Sequence, residues 1–114
     1  MEANRLELSD LLQKVSADAG EHINLYHQPP ENVKLEYPCI IYKLDNMPSN
    51  YADDRPYITT ISYELTYITR SPVSEVPANL VKVPKMAFDR YYVYENLHHY
   101  TYKYTCTLKE EIND

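Results

Sequence analysis

The residues best suited to chemistry lie in the stretch FDRYYVYENLHHYTYKYTC, which runs from Phe88 to Cys106 and contains six tyrosines, two histidines and a cysteine. A histidine beside a thiol could activate a cysteine nucleophile, and histidines that converge with thiols or carboxylates could hold zinc. His98 and His99 are adjacent, however, and adjacent residues of a regular strand point to opposite faces of the sheet. We therefore expect that these two histidines do not share a metal ion.

The two cysteines and the two acidic pairs also favour interpretations that involve no catalytic role. Cys39 and Cys106 each lie in an apolar alternation, where a thiol behaves as a small hydrophobic side chain, so we expect free thiols on strands. The acids of the pairs Asp53–Asp54 and Glu110–Glu111 are adjacent in sequence, but adjacency alone does not bring two carboxylates together for acid–base chemistry. We accordingly predict a protein that is not an enzyme, with no catalytic residue, cofactor or metal. The alternative from another class is a small enzyme or ligand-binding domain that uses the Tyr/His-rich stretch.

The composition excludes several other classes of protein. The chain has 114 residues, a single glycine, thirteen tyrosines and a formal net charge of −6. One glycine cannot build a phosphate-cradling loop, which needs several residues whose backbone approaches the phosphate. An acidic chain without a basic run is poorly suited to gripping nucleic acid, because that affinity comes from Lys and Arg neutralising phosphates. No segment has the pattern of a signal peptide or membrane span, so we expect one soluble domain over residues 1–114.

Two helices are predicted by apolar spacing and capping signals. The first covers about residues 4–18, with Asn4 as a weak cap and Gly20 beyond its C-terminus. The second is short, from about 74 to 83, with Ser74 as N-cap and Pro77 in its first turn. The stripe of the first helix comprises Leu8, Leu11, Leu12, Val15 and Ala19, and that of the second Val76, Leu80 and Val83.

The rest of the chain favours strands joined by loops. Short strands are expected at Ile23 to Tyr26 and Pro38 to Leu44, and the strict alternation from Tyr57 to Thr69 predicts a long one. The polar segment 45–56 shows no periodicity and is expected to be a long loop that makes contacts. Residues 88–108 predict a hairpin of two strands around the turn ENLH, with Asn96 suited to the tight turn. The fold class is therefore α+β, with a mainly antiparallel sheet of about four strands and two helices packed on one face.

Alternation also divides the tyrosines between the two sheet faces. Tyr63 and Tyr67 share one face of the long strand, and Tyr100, Tyr102 and Tyr104 share one face of the last strand. These are expected to be core, together with Tyr92 and Tyr94 of the hairpin. Tyr91 falls on the opposite face, where it would be free for protein contacts, in which tyrosine is enriched.

Four phrases of the sequence resemble the small neck and tail proteins of tailed bacteriophages, most closely the tail terminator or tail completion proteins. These phrases are HQPPENVKLEYPCIIYKLDN, YADDRPY, SPVSEVPANLVKVP and FDRYYVYENLHHYTYKY, and the resemblance covers roughly Ile23 to Tyr104. The resemblance implies a tail-terminator-like α/β fold with helices on a sheet. It also implies a homohexameric ring that caps the tail tube and contacts head-completion proteins, without cofactor or enzymatic activity.

This resemblance sets the expected partners and location. The partners would be other copies of the chain, the tail tube protein and head-closure or neck proteins, and the protein would be assembled in the host cytoplasm into the virion neck. DNA would pass the acidic lumen without specific binding, and no membrane is involved. A head-closure or adaptor protein of the same junction is the alternative. The expected contact residues are Tyr51, Asp53, Asp54 and Arg55 in the loop, and Tyr91, His98 and His99 around the hairpin.

Overall fold

The N-terminal apolar stripe forms helix α1, Glu2–Ala19, in a computed structural model that describes residues 2–46, 49–52, 55–58 and 60–107. Leu8, Leu12 and Val15 of this helix are buried, as their spacing predicts. The helix ends at Gly20, whose φ of 69° lies in the left-handed region. The amide of Gly20 donates to the carbonyl of Ala17 and that of Glu21 to Ser16, each at 3.1 Å. This pair of hydrogen bonds is a Schellman motif, which satisfies two otherwise unpaired helix carbonyls.

Replacing Gly20 by alanine is expected to destabilise the protein through the backbone alone. A Cβ at this position would meet nothing within 4 Å, so no steric clash adds to the cost of the left-handed conformation. That cost is roughly 1–2 kcal/mol for a residue with a Cβ. Urea unfolding of Gly20→Ala measures it, with Gly20→Asn as the control because asparagine tolerates this conformation better. Equal losses in the two variants would contradict the prediction.

Asn4 does not cap α1, contrary to its sequence signal. The helix begins two residues earlier, at Glu2, and Asn4 lies inside it with a buried side chain. Its amide nitrogen donates to the carbonyl oxygen of Thr107 at 2.9 Å and lies 3.4 Å from the Sγ of Cys106. The polar side chain therefore ties the start of the chain to the end of the last strand. A capping pattern cannot be distinguished by sequence from a buried amide that needs a partner.

The strands form a five-stranded mixed sheet, so the predicted α+β class is confirmed while the sheet differs in detail from the expected four antiparallel strands. In spatial order the strands are β1, β2, β5, β7 and β6, and only the β1–β2 pair is parallel. The two edges of the sheet are therefore β1 and β6. Their bounds are Asn24–His27 for β1, Cys39–Asn46 for β2, Thr60–Thr69 for β5, Met86–Tyr94 for β6 and Leu97–Thr107 for β7.

The described residues of the segment 45–56 do not form the irregular loop that the sequence suggests. It continues β2 to Asn46 and then contributes β3, Ser49–Ala52, and the start of β4, Arg55–Ile58. The two short strands pair antiparallel in a separate two-stranded sheet. The long strand expected from Tyr57 to Thr69 is accordingly divided between β4 and β5. Short polar strands carry no apolar alternation, so the pattern that identifies longer strands is missing from them.

The second helix, α2, covers Val76–Leu80 and is shorter than the predicted range 74–83. Glu75 holds the N-cap position, and Ser74 one residue earlier accepts a hydrogen bond from the Val76 amide through its Oγ at 3.2 Å. Pro77 lies in the first turn as expected. The residues of both helices join one hydrophobic cluster with a single face of the sheet. Its main sheet members are Ile40, Tyr42, Ile61, Tyr63, Leu65, Tyr67, Tyr102 and Tyr104.

A polar cluster fastens the helices to the sheet where the core meets their ends. The Tyr67 hydroxyl lies 2.9 Å from Oε1 of Glu21, to which it donates, and 2.8 Å from Oγ of Ser74. Ser74 in turn donates to Oε2 of Glu21 at 2.6 Å. Glu21 follows α1, Tyr67 belongs to β5 and Ser74 precedes α2, so three elements meet at one set of hydrogen bonds. A buried tyrosine needs such a partner for its hydroxyl.

Candidate protein-contact surface

The C-terminal hairpin is formed by β6 and β7 and closes with a two-residue turn. Glu95 and Asn96 have φ values of 52° and 63°, and Tyr94 pairs with Leu97 on either side of them. Positive φ at both central residues is the geometry of a type I′ turn, whose twist matches that of the flanking strands. The expectation that Asn96 lies in the tight turn is confirmed, since asparagine tolerates this conformation.

A β-bulge at Asp89 interrupts the pairing of β6 with β7. Phe88 pairs with Tyr102 and Arg90 with Thr101, so Asp89 is the extra residue on β6. The Thr101 side chain holds this bulge in place. Its Oγ1 accepts from the Arg90 amide at 3.1 Å and lies 3.2 Å from Oδ2 of Asp89. Because Thr101 is buried, these hydrogen bonds fix the register of the outer strand.

The bulge reverses which hairpin tyrosines face the core side. Beyond it, Tyr91 pairs with Tyr100, with ring centroids 4.9 Å apart, on the face that carries Tyr102. Tyr92 instead pairs with His99, and the two rings stack at 4.6 Å on the opposite face. The prediction that Tyr92 and Tyr94 are buried is therefore wrong. Both are exposed. The extra residue puts them on the face opposite Tyr102, and β6 is an edge strand on which every side chain after Met86 is exposed, including Tyr91 on the other face.

The outer strand of the hairpin concentrates the exposed apolar surface. Of the nine large hydrophobic side chains that are exposed among the described residues, five lie on β6, with 40 to 63% of their area accessible. These side chains alternate between the two faces of the strand, with Phe88, Tyr91 and Val93 on one face and Tyr92 and Tyr94 on the other, so this edge of the sheet is apolar on both faces. A concentration of exposed apolar side chains on an edge strand is typical of a contact surface. We call this surface the β6 patch; it consists of Phe88, Tyr91, Tyr92, Val93 and Tyr94.

The two histidines flank this patch on opposite faces of β7, as the sequence predicts. Nδ1 of His98 lies 2.7 Å from the Tyr91 hydroxyl, and Nδ1 of His99 lies 3.0 Å from the Leu97 carbonyl oxygen. These partners are a hydroxyl and a main-chain oxygen, so neither hydrogen bond joins a histidine to a carboxylate or a thiol. Within the described residues, no three His, Cys, Asp or Glu side chains are grouped to hold a metal ion.

The cysteines lie in the interior of the sheet. Cys39 on β2 and Cys106 on β7 are both buried and do not form a disulfide, which confirms their predicted placement on strands. Burial raises the pKa of Cys39 from 9.0 to about 11. Since the thiolate is the nucleophilic form, a raised pKa leaves this thiol unreactive near neutral pH.

The predicted contact residues are distributed between the hairpin and the β3–β4 pair. Tyr91 belongs to the β6 patch, and both histidines are half-buried beside it. Tyr51 and Arg55 lie in β3 and β4, where Tyr51 pairs with Pro56 and Arg55 with Ala52. Asp53 and Asp54 lie outside the described residues. The sequence therefore identified the hairpin as a candidate surface but missed most of its exposed side chains.

The missed residues are Phe88, Tyr92, Val93 and Tyr94, and a signal for them exists in the sequence. Two charged residues, Asp89 and Arg90, stand together in the middle of an aromatic strand. Aspartate is depleted from regular strands, so its presence there favours a bulge. If the alternation of β6 is shifted by one residue at Asp89, it assigns Tyr92 and Tyr94 to the face of the sheet that they occupy in the structure.

A cleft lies at the opposite side of the sheet from the β6 patch. It has a volume of about 680 Å³ and is formed by the chain that leaves β1 and by the outward side of β2. Pro29 and Pro30 line one wall and Ile41 lies on the other. We call it the proline cleft; its further apolar lining comes from Val33 and Leu35. The hydrocarbon lining and the volume are typical of sites that take a small ligand or an inserted side chain.

Neither helix in the described part of the chain combines the length and apolar character needed to cross a membrane. The sequence matches no protein-family model, and a search of curated proteins finds no significant match.

Proposed function

We propose that this protein is a structural component of the neck of a tailed bacteriophage. In this role it is a tail terminator, which forms a hexameric ring on the end of the tail tube and joins the tube to head-completion proteins. The proposal rests on the resemblance of four sequence phrases to such proteins. The observation on the molecule that supports it best is the β6 patch, because a strand edge with five exposed apolar side chains suits subunit contacts.

The charge of the chain supports the same role. A formal net charge of −6 per subunit would give a ring an acidic surface, which repels the phosphates of DNA. A neck ring must let DNA pass without retaining it. The rings of Tyr92 and His99 stack on each other and both cysteines are buried, an arrangement that suits an architectural role.

Deleting the gene from the phage that encodes the chain is the direct test. A tail terminator is expected to leave overlong tails without heads, because nothing stops polymerisation of the tube. Filled heads that leak their DNA would instead indicate the head-closure alternative. Electron microscopy of the lysate distinguishes these outcomes. Normal virions at normal yield would overturn both roles.

Removing one aromatic ring from the β6 patch tests the proposed contact surface. Tyr94→Ala is expected to weaken self-association by about 2 kcal/mol or more, roughly 30-fold in Kd, if the ring is a central contact. Native mass spectrometry over a concentration series measures the oligomer. Val73→Ala is the matched control, since Val73 is the most exposed of these side chains but lies outside the patch. An equal effect of both changes would count against the patch.

A further inference from the structure

We propose that the β6 patch of one subunit inserts into the proline cleft of the next subunit. This inference rests on the proposed function, which requires a ring, and it names the two surfaces that build it. The occupant of the cleft is thus a second copy of the same chain, and the contact is repeated head to tail.

The chemistry of the two surfaces is complementary. The turn end of the hairpin presents Tyr92 and Tyr94 on one face, and Tyr94 is 63% exposed. The cleft presents Pro29 and Pro30. Proline-rich segments are recognised by aromatic side chains because their rigid extended backbone loses little entropy on binding. The tyrosines of one surface therefore match the prolines of the other.

Charges at the borders of the two surfaces are complementary as well. The cleft includes Lys43 on β2 and Glu31 in the chain that follows β1. The hairpin carries Glu95 in its turn and Arg90 five residues earlier, both exposed. The acid at the turn end of the hairpin can therefore meet the base of the cleft, Glu95 against Lys43, whereas Arg90 already lies 4.0 Å from the carboxylate of its neighbour Asp89. An opposite-charge pair of Glu95 with Lys43 favours this docked orientation, and like charges at the same place would cost binding energy.

The position of the two surfaces decides the kind of assembly. The patch lies on edge strand β6, whereas the cleft lies beside β1 and β2 at the other edge of the five-stranded sheet. A contact between two different surfaces is heterologous, so each docked subunit leaves one patch and one cleft unfilled at the ends of the assembly. Such contacts propagate until a ring closes or a filament forms. A patch that paired with its own copy would instead stop at a dimer.

Thiol cross-linking separates these arrangements. Val93→Cys places a reactive thiol beside Tyr94 and keeps both tyrosines of the patch, and Val33→Cys places one on the cleft, while the native Cys39 and Cys106 are buried. With a short bis-maleimide reagent, we expect no covalent dimer from either single variant and a dimer from their mixture. The variant with both changes should give a ladder of oligomers. Wild-type protein is the control for reaction at the native thiols.

Each other outcome overturns the inference in a recognisable way. A dimer from Val93→Cys alone would indicate patch against patch. No cross-link in the mixture, while native mass spectrometry still shows oligomers, would refute the patch–cleft contact and leave the ring proposal intact. Monomers at every concentration tested, with no cross-link and with normal tails in the gene deletion, would overturn both proposals.

A charge exchange tests the same contact without cysteines. Glu95→Lys and Lys43→Glu are each expected to weaken association several-fold, because each places like charges face to face. The variant with both changes should regain most of the lost affinity, since the exchanged pair again has opposite signs. A double variant as weak as the sum of the single changes would refute the contact, and circular dichroism confirms that each variant is folded.

Discussion

Replacing Leu12 by alanine is expected to lower the free energy of unfolding by about 2–5 kcal/mol. Leu12 is completely buried and belongs to the cluster that joins α1 to the tyrosines of the sheet. Removing its side chain loses transfer free energy and leaves a cavity, because the surrounding core relaxes only in part. Domains of this size are stable by only about 5–15 kcal/mol, so one truncation removes a large fraction of the total.

Leu6→Ala provides a matched control on the same helix. Leu6 is 50% exposed, so the same chemical change with the same small effect on helix propensity should cost about 1 kcal/mol or less. Urea unfolding monitored by circular dichroism measures both variants. If the two leucines cost the same, the contact of α1 with the sheet would not contribute as the structure indicates.

The alternation of residues was sufficient to predict most of the core. Tyr63, Leu65 and Tyr67 recur at every second position, and the structure buries all three on the face that meets the helices. Tyr102 and Tyr104 follow the same rule on β7. This succeeds because the side-chain period of a strand is two, so a residue known to be buried fixes the face of its neighbours.

Features that depend on contacts distant in sequence could not be predicted in this way. The bulge at Asp89 is held by Thr101 of another strand, and a single extra residue changes the face of Tyr92 and Tyr94. The parallel pairing of β1 with β2 is a second example. Its connection is long enough to return the chain to the same end of the sheet, and nothing in the apolar pattern records strand direction.

The candidate surface was predictable only in part for the same reason. The aromatic and histidine content of the hairpin indicated a contact region. The face of the sheet on which each ring lies, however, follows from the bulge. The proline cleft required the fold as well, since Pro29 and Ile41 meet only when the chain after β1 lies over β2. A surface formed by residues of two separate elements cannot be recognised from the pattern of a single segment of the sequence.

Raising the pH from about 9 to 12 is expected to destabilise the protein strongly through its buried tyrosines. Burial, the largest cause, raises the pKa of Tyr67 from 10.0 to about 12; hydrogen bonds with Ser74 and Thr69 act against this shift, and the neighbouring Glu21 adds to it. Burial also raises the pKa of Tyr102, to which nearby tyrosines add. The neutral hydroxyl is therefore favoured by folding. Its stabilisation is fully present below pH 10 and is lost as the pH rises through the folded-state pKa.

The contribution of Tyr67 to this loss can be measured separately from its other effects. Two pKa units correspond to roughly 2–3 kcal/mol, at about 1.4 kcal/mol per unit. Tyr67→Phe removes the titrating group, so the loss of unfolding free energy between pH 9 and 12 should shrink by that amount, even though the variant also loses hydrogen bonds at neutral pH. Wild-type protein unfolded at the same pH values provides the reference. Urea unfolding at each pH measures the free energy of unfolding of the variant and of the wild type. If Tyr67→Phe loses as much of it between pH 9 and 12 as the wild type does, the hydroxyl does not titrate in the buried cluster with Glu21 and Ser74.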